Sequence, residues 1–155
     1  MKVYRLCRQE EIEKIFKDKG FQNVGQECIR DQTINNHNYI TGKKYLHFFP
    51  SFDSLLHLNT AEGHYICTYD IPKQLLDQTK GIGKYVDFVH LMHLVDVDEY
   101  AIETSALDIN HLLCVFKIEK FIDYEDLWLD STLKGFIRPV YIQKQKQPIT
   151  ETFER

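Results

Sequence analysis

Three places along the chain hold side chains that suit one kind of chemistry. Arg5 lies inside a short strand candidate near the start of the chain. His47 is followed by Phe48 and Phe49 in an aromatic strand, and Glu99 opens a segment after acidic residues. An arginine can bind phosphate through paired hydrogen bonds, and aromatic faces can hold a flat cationic ring. A glutamate can stabilise the positive charge that forms when the glycosidic bond to such a ring breaks. The set therefore suits a dinucleotide that carries a positively charged nicotinamide.

Each of these residues also has an ordinary structural interpretation. A strand arginine can pack its stem and leave its head in water. His47 can be a hydrogen-bonded, half-buried histidine, and Glu99 a solvated loop carboxylate. Phe48 and Phe49 point to opposite faces of a strand, so at least one of them is expected in the core.

Other site chemistries have weaker support. His90 and His93 have no His-Glu-x-x-His motif around them, so metal binding is not expected. The chain has no Gly-x-Ser-x-Gly elbow and no protease-type cysteine signature. Gly81 and Gly83 lack the third glycine of a dinucleotide fingerprint, and we interpret them as a flexible loop.

Strands and short helices alternate without regular βαβ spacing. Strands are predicted at Val3–Cys7, Lys43–Phe49, His64–Ile71, Leu112–Ile118 and Arg138–Ile142. Helices are predicted at Gln9–Lys19, capped by Gly20, after Ser51, and at Lys73–Gln78, whereas Gln22–Tyr39 is polar and irregular. This order predicts an α+β protein, a mixed or antiparallel β core with short flanking helices.

Length and composition bound the class of protein. The 155 residues, 43% of them hydrophobic, predict one domain over residues 1–143 and a polar tail over 144–155. The net charge of -4 disfavours a dedicated nucleic-acid binder. No apolar run is long enough to span a membrane, and the four scattered cysteines are typical of reduced thiols. A cytoplasmic protein is expected.

The order of several short motifs resembles the ADP-ribosyltransferase-like fold, over about residues 3–118. The motifs are Val3-Tyr4-Arg5, Gly42-x-x-Tyr45-x-His47-Phe48-Phe49, Tyr65-Ile66-x-x-Tyr69-Asp70-Ile71-Pro72, Gly81-x-Gly83-x-Tyr85 and Glu99-Tyr100-Ala101-Ile102. Members of that family cleave NAD at the bond between nicotinamide and ribose. Their pattern is an arginine or histidine on the first strand, an aromatic or Ser-Thr-Ser element on the second, and a glutamate near a later strand.

The resemblance implies a role for each matching residue. Glu99 would be catalytic, with His47 or Ser51 orienting the nicotinamide ribose. Arg5 would contact NAD phosphate or ribose, and Phe48 or Phe49 would pack on the nicotinamide. The remaining candidates for binding NAD are Tyr4 and Tyr39.

The chain departs from the family pattern at two points. It has no Ser-Thr-Ser element, and Val97 stands where a Glu-x-Glu or Gln-x-Glu pair would have its first member. Glu103 is an alternative to Glu99 as the family glutamate.

Three classes of function follow. The first is an enzyme that transfers ADP-ribose to protein, nucleic acid, a small molecule or water. The second is a catalytically inactive binding module with the same fold. The third is a structural or regulatory partner without a ligand. An enzyme requires Arg5, His47 and Glu99 to converge on one cleft, whereas a module predicts that they scatter or that side chains fill the cleft.

Overall fold

The computed structural model describes residues 1–55, 65–87, 93–122 and 133–143. In these ranges the strands are β1 (Lys2–Cys7), β2 (Gln26–Glu27), β3 (Gln32–Ile34), β4 (His37–Tyr39), β5 (Lys44–Phe48), β6 (Tyr65–Asp70), β7 (Lys80–Asp87), β8 (His93–Glu103), β9 (Leu112–Ile118) and β10 (Ile137–Ile142). The α-helices are α1 (Gln9–Asp18), α2 (Phe52–Leu55) and α3 (Lys73–Thr79), and short 3-10 helices span Thr104–Ala106 and Ile109–His111.

Two antiparallel sheets of four strands form the framework. Their strand orders are β1-β6-β9-β10 and β2-β5-β8-β7, and β3 pairs with β4 in a separate hairpin. All of these ladders are antiparallel. The predicted α+β class, with an antiparallel core and short helices, is confirmed.

The two sheets meet where β1 runs beside the end of β5. Tyr4 and Phe49 exchange two backbone hydrogen bonds of 2.7 Å each. β1, β5 and β8 therefore lie side by side, and these are the strands that carry Arg5, His47 and Glu99. The sequence could not show this adjacency, because the three segments are far apart along the chain.

The main core lies between these sheets and helix α1. Ile12 and Ile15 of α1 are buried in it, as the helical spacing predicts, while Phe16 stays partly exposed against Tyr141. The helix ends one residue earlier than predicted, because Lys19, and not Gly20, adopts the left-handed conformation that ends it. Cys67 is a buried core residue as expected, whereas Cys114 is only partly buried.

Two segments predicted as loops are strands. Residues 32–39 form the β3–β4 hairpin, in which Asn35 and Asn36 both have positive φ. That geometry is the tight two-residue turn whose twist matches the flanking strands. Gly81 and Gly83 lie inside β7, paired with Glu99 and Val97 of β8. The loop prediction for these glycines is wrong, because their missing side chains leave room for close packing on the sheet.

The remaining predictions fall partly outside the described residues. The tail over 144–155 and His90 lie outside them. Within the described ranges, no helix is long and apolar enough to cross a membrane.

Candidate functional site

The second sheet has two faces of different character. Side chains alternate along a strand, so Leu46 and Phe48 of β5 point into the main core. His47 points to the opposite face, where the register sets it against Ala101 of β8. Glu99 lies two residues from Ala101 and shares that face. A carboxylate and an imidazole therefore lie at diagonal positions of one pair of strands, close enough to interact.

Glu99 is a buried carboxylate held by two neutral donors. The residue is only 3% exposed. The Tyr85 hydroxyl donates a 2.5 Å hydrogen bond to its Oε2, and the Asn35 side-chain amide lies 3.4 Å from its Oε1. Tyr85 comes from β7, and Asn35 comes from the β3–β4 turn. The interpretation of Glu99 as a solvated loop carboxylate is therefore wrong: it is buried in strand β8.

The β3–β4 hairpin brings a second imidazole to the same face. His37 is 4% exposed, so its ring is buried against this face of the sheet. Its Nε2 has no hydrogen-bond partner in the part of the chain that the structure describes. The His37 and His47 ring centroids lie 6.4 Å apart.

Glycines in β7 make room for the hairpin. A Cβ on Gly81 would collide with the Asn35 carbonyl oxygen and would lie 2.5 Å from Nε2 of His37. A Cβ on Gly83 would lie 2.8 Å from Oε1 of Glu99. Gly81 pairs directly with Glu99 in the β7–β8 ladder. The His37 ring therefore lies against the residue that is paired with Glu99.

Tyr39 and His47 form a second pair at this centre. The Tyr39 hydroxyl and Nε2 of His47 share a hydrogen bond of 2.8 Å. His47 is half-buried, which confirms its interpretation as a hydrogen-bonded histidine of that kind. Tyr39, a sequence candidate for binding NAD, thus lies in contact with His47.

Burial sets the protonation of these groups. Desolvation lowers the pKa of His37, and the charge of Glu99 only partly opposes this effect. Desolvation also lowers the pKa of His47, against the charge of Glu99 and together with the charge of Arg5. Desolvation, with the Glu99 charge, raises the pKa of Tyr39 to about 12. Both imidazoles are therefore neutral at pH 7, and the phenol keeps its proton.

Arg5 lies on the face of β1 that carries the buried residues Val3 and Cys7. Its guanidinium binds Glu11 of α1 through two hydrogen bonds, of 2.8 and 2.7 Å, and donates a third, of 3.1 Å, to the carbonyl oxygen of His47. Burial lowers the Arg5 pKa, but the hydrogen bonds and charge of Glu11 outweigh it and raise the pKa. The Arg5 head binds Glu11, and its side chain is 20% exposed at the surface. Arg5 lies on the main-core face of β1, opposite the sheet face of His47 and Glu99, so the three residues do not converge on one cleft.

An open cleft of about 410 Å³ lies beside this ion pair. Its lining residues include both partners of the pair and three further charged side chains, Arg8, Glu10 and Lys14. Charges of both signs thus border the cleft, in contrast to the closed surroundings of Glu99.

The other predicted binding residues are divided between the two faces. Phe48 is fully buried in the main core, 4.8 Å from the Tyr69 ring, so it is the core member of the aromatic pair. Phe49 lies on the side of Glu99, with its ring 5.7 Å from that of Tyr85. Tyr4 packs on Phe52, at 4.8 Å between ring centroids.

Ser51 lies at the start of helix α2. Its hydroxyl oxygen accepts a 3.4 Å hydrogen bond from the Ser54 backbone, which is the geometry of a helix cap. Ser51 therefore has the capping role that its position before the helix predicts.

Glu103 occupies a different environment from Glu99. Its side chain is 29% exposed and forms an ion pair of 3.3 Å with Lys43. It also accepts a hydrogen bond from the Ser105 hydroxyl. Of the two glutamates, Glu99 is the one surrounded by histidine and tyrosine side chains.

Sequence reasoning missed His37 and Asn35, and it treated Tyr85 only as part of a loop. Two signals could have found them. Tandem asparagines between β-forming segments are typical of a tight hairpin, which brings the residue after the turn back to the sheet. The spacing Gly81-x-Gly83-x-Tyr85 has the period of two that puts all three residues on one strand face.

The site has the composition of an acid–base centre, with one carboxylate, two imidazoles and two phenols. Among the described residues, no group of three or more His, Cys, Asp or Glu side chains could hold a metal ion. Comparisons of the chain with protein-family models, with curated proteins and with solved structures find no match.

Proposed function

We propose that this protein is an ADP-ribosyltransferase-like enzyme that cleaves NAD at the nicotinamide–ribose bond, with Glu99 as its catalytic glutamate. One observation carries the proposal: Glu99 is a buried carboxylate, oriented by Tyr85, on the same sheet face as His47. Of the strands that bear the pattern, β5 pairs with β8, and β1 is joined to the end of β5 by the single bridge between Tyr4 and Phe49.

Each group at the centre has a role in the proposed reaction. The Glu99 carboxylate would stabilise the cation that develops on the ribose as nicotinamide leaves. The Tyr85 hydrogen bond fixes that carboxylate before the reaction, so no reorganisation is needed as charge develops. His47 would contact the ribose, and Phe49 would offer an aromatic face to the nicotinamide.

Arg5 acts differently from the role that the resemblance implies. Its guanidinium is bound to Glu11 and to the carbonyl oxygen of His47. In the proposed enzyme Arg5 is a positioning residue that fixes the strand bearing His47. Direct contact with NAD phosphate would require it to exchange Glu11 for the phosphate.

Access to Glu99 requires movement of the β3–β4 hairpin. Asn35 and His37 of the hairpin cover the carboxylate, and both β3 and β4 pair only with each other among the described strands. Side-chain contacts, and not a backbone ladder, hold this hairpin over the sheet. The acceptor would be protein, nucleic acid, a small molecule or water.

The test is release of nicotinamide from NAD by the purified protein, with Glu99→Gln and Glu103→Gln measured beside the wild type. We expect release by the wild type and a loss of about 100-fold or more in Glu99→Gln. Glu103→Gln is the matched control, on the same strand, and should keep its activity within about threefold. Equal losses in both variants would contradict the assignment of Glu99.

A binding module without catalysis is the second candidate, and one observation favours it. Side chains of Asn35, His37 and Tyr85 fill the space around Glu99, as expected for a cleft that has lost its substrate. In that case no nicotinamide is released even with lysate added as a source of acceptors. NAD would then either raise the melting temperature, which shows binding without cleavage, or leave it unchanged.

A further inference from the structure

The unpartnered nitrogen of His37 is the polar atom that the proposed reaction has not used. Only 4% of the residue is exposed, and its Nε2 has no hydrogen-bond partner in the described ranges. Leaving a buried polar atom without a hydrogen bond is unfavourable, because the atom loses its hydrogen bonds to water and gains none in return. Such an atom at a candidate active site indicates a group that finds its partner only when substrate is bound.

We propose that His37 is the general base that removes the proton from the acceptor after nicotinamide leaves. The proposal rests on the proposed function and adds a catalytic residue to it. The structure supplies the geometry: the ring lies on the Glu99 face of the sheet, and Nε2 points at Gly81, the residue paired with Glu99.

The reaction balances with the groups present. The carbon–nitrogen bond to nicotinamide breaks, and nicotinamide leaves as a neutral molecule with the bonding electron pair. An acceptor hydroxyl, or water, then forms a carbon–oxygen bond to the same ribose carbon. The acceptor proton passes to Nε2 of His37 and from there to solvent, so the products are ADP-ribosylated acceptor, nicotinamide and one proton.

His37 suits this role better than His47. Nε2 of His47 already shares a hydrogen bond with the Tyr39 hydroxyl, whereas Nε2 of His37 is available. Val97, two positions before Glu99 on the same face of β8, is a buried apolar residue, so a base must come from another element. The hairpin supplies one, and its return over the sheet after NAD has bound would place His37 beside the incoming acceptor.

The groups around His37 allow it to accept a proton. Glu99 faces it from β8 and His47 from β5, and its Nε2 lies against Gly81 of β7. Tyr39 lies two residues along the same strand, 6.0 Å away between ring centroids. Burial lowers the pKa of His37, so the ring is a neutral base at pH 7, and the Glu99 carboxylate would stabilise the imidazolium that forms.

The experiment measures the rate of ADP-ribose transfer to water, or to an added alcohol, between pH 5 and 8. Wild type and His37→Gln are compared, with His93→Gln as the matched control because His93 is exposed at the start of β8. We expect the wild-type rate to fall about tenfold per pH unit once the pH drops below the pKa of His37, which burial holds below its usual value. His37→Gln should lose about 100-fold at pH 7.5 and should lack this acidic limb.

A second measurement follows His37 directly. The imidazole resonances of the wild type, assigned by comparison with His37→Gln, should titrate below pH 6.5 and shift on adding a carbocyclic NAD analogue that cannot release nicotinamide. If His37→Gln does not fold, a wild-type rate that stays flat through the pH range in which the imidazole resonances titrate overturns the inference by itself.

The outcomes separate the two proposals. Wild-type release of nicotinamide with an unchanged rate and pH profile in His37→Gln overturns His37 as the base and leaves the proposed function standing. No release by the wild type under any condition overturns both proposals.

Discussion

Two charged centres of this protein, around Arg5 and around Glu99, are built in opposite ways. Arg5 meets a carboxylate in a two-point ion pair, and the Arg5 and Glu11 side chains are 20% and 15% exposed. Glu99 is more deeply buried, yet its hydrogen-bond donors are a phenol and an amide. An ion pair of the first kind is complete in the folded chain. A buried carboxylate beside two neutral imidazoles is an arrangement typical of acid–base catalysis, and this contrast is why we propose a function for Glu99.

The largest expected effect comes from filling the space beneath the hairpin. Gly81→Ala should lower the free energy of unfolding by about 3 kcal/mol, because its new methyl group meets the Asn35 backbone, which cannot rotate away. Urea denaturation measures the change. The matched control is Gly20→Ala, since a Cβ there meets only the flexible end of the Gln22 side chain at close range. Equal stability of the two variants would mean that the hairpin does not rest on β7.

An intermediate effect on stability is expected when one carboxylate of each charged centre is replaced by an amide, and its size should differ between the two centres. Glu11→Gln should cost about 2 kcal/mol of stability, because it replaces a charge-assisted pair with Arg5 by neutral hydrogen bonds. Glu99→Gln should cost less than about 1 kcal/mol, because the amide has the same size and both donors beside it are neutral. Thermal and urea unfolding of the two variants provide the measurement. A larger loss of stability in Glu99→Gln would make Glu99 the structural centre and would reverse the comparison.

The smallest effect is the pH dependence of stability. His37 and His47 have lowered pKa values in the folded chain. As the pH falls, the unfolded chain therefore binds more protons than the folded chain does. The contribution of these two neutral imidazoles to stability is fully present above about pH 6.5. It is lost as the pH falls towards their pKa values in the folded chain. We expect the free energy of unfolding to drop by about 1 kcal/mol between pH 7 and 5.5.

The control for this pH effect is the double variant His37→Gln, His47→Gln, which should flatten the profile in the same window. Asp31 and Glu119, whose carboxyl pKa values are lowered by hydrogen bonds, titrate below this range and affect stability only at more acidic pH. Stability that rises on acidification from pH 7 would contradict neutral, buried imidazoles.

Hydrophobic periodicity predicted the parts of the fold that depend on local pattern. The strands that became β1, β5, β6 and β9, and helix α1, follow from β-forming runs and from the spacing of Ile12 and Ile15. The alternation of a strand also predicts that Phe48 and Phe49 separate, although it cannot tell which of them enters the core. The hairpin at Asn35 was missed because its strands are polar and short. Their hydrophobic periodicity is weak, so the turn residues indicate the hairpin better than the strands do.

The sequence by itself determined which side chains are available for the site: Arg5 in a strand, His47 in an aromatic strand, and Glu99 after an acidic stretch. It also determined an α+β chain of modest negative charge. Only the tertiary structure decided their partners. Arg5 binds a helix residue six positions away, while Asn35 reaches Glu99 across 64 positions. The physical reason is that burial and charge pairing depend on which strands become neighbours, and strand neighbours are chosen by the packing of the whole chain.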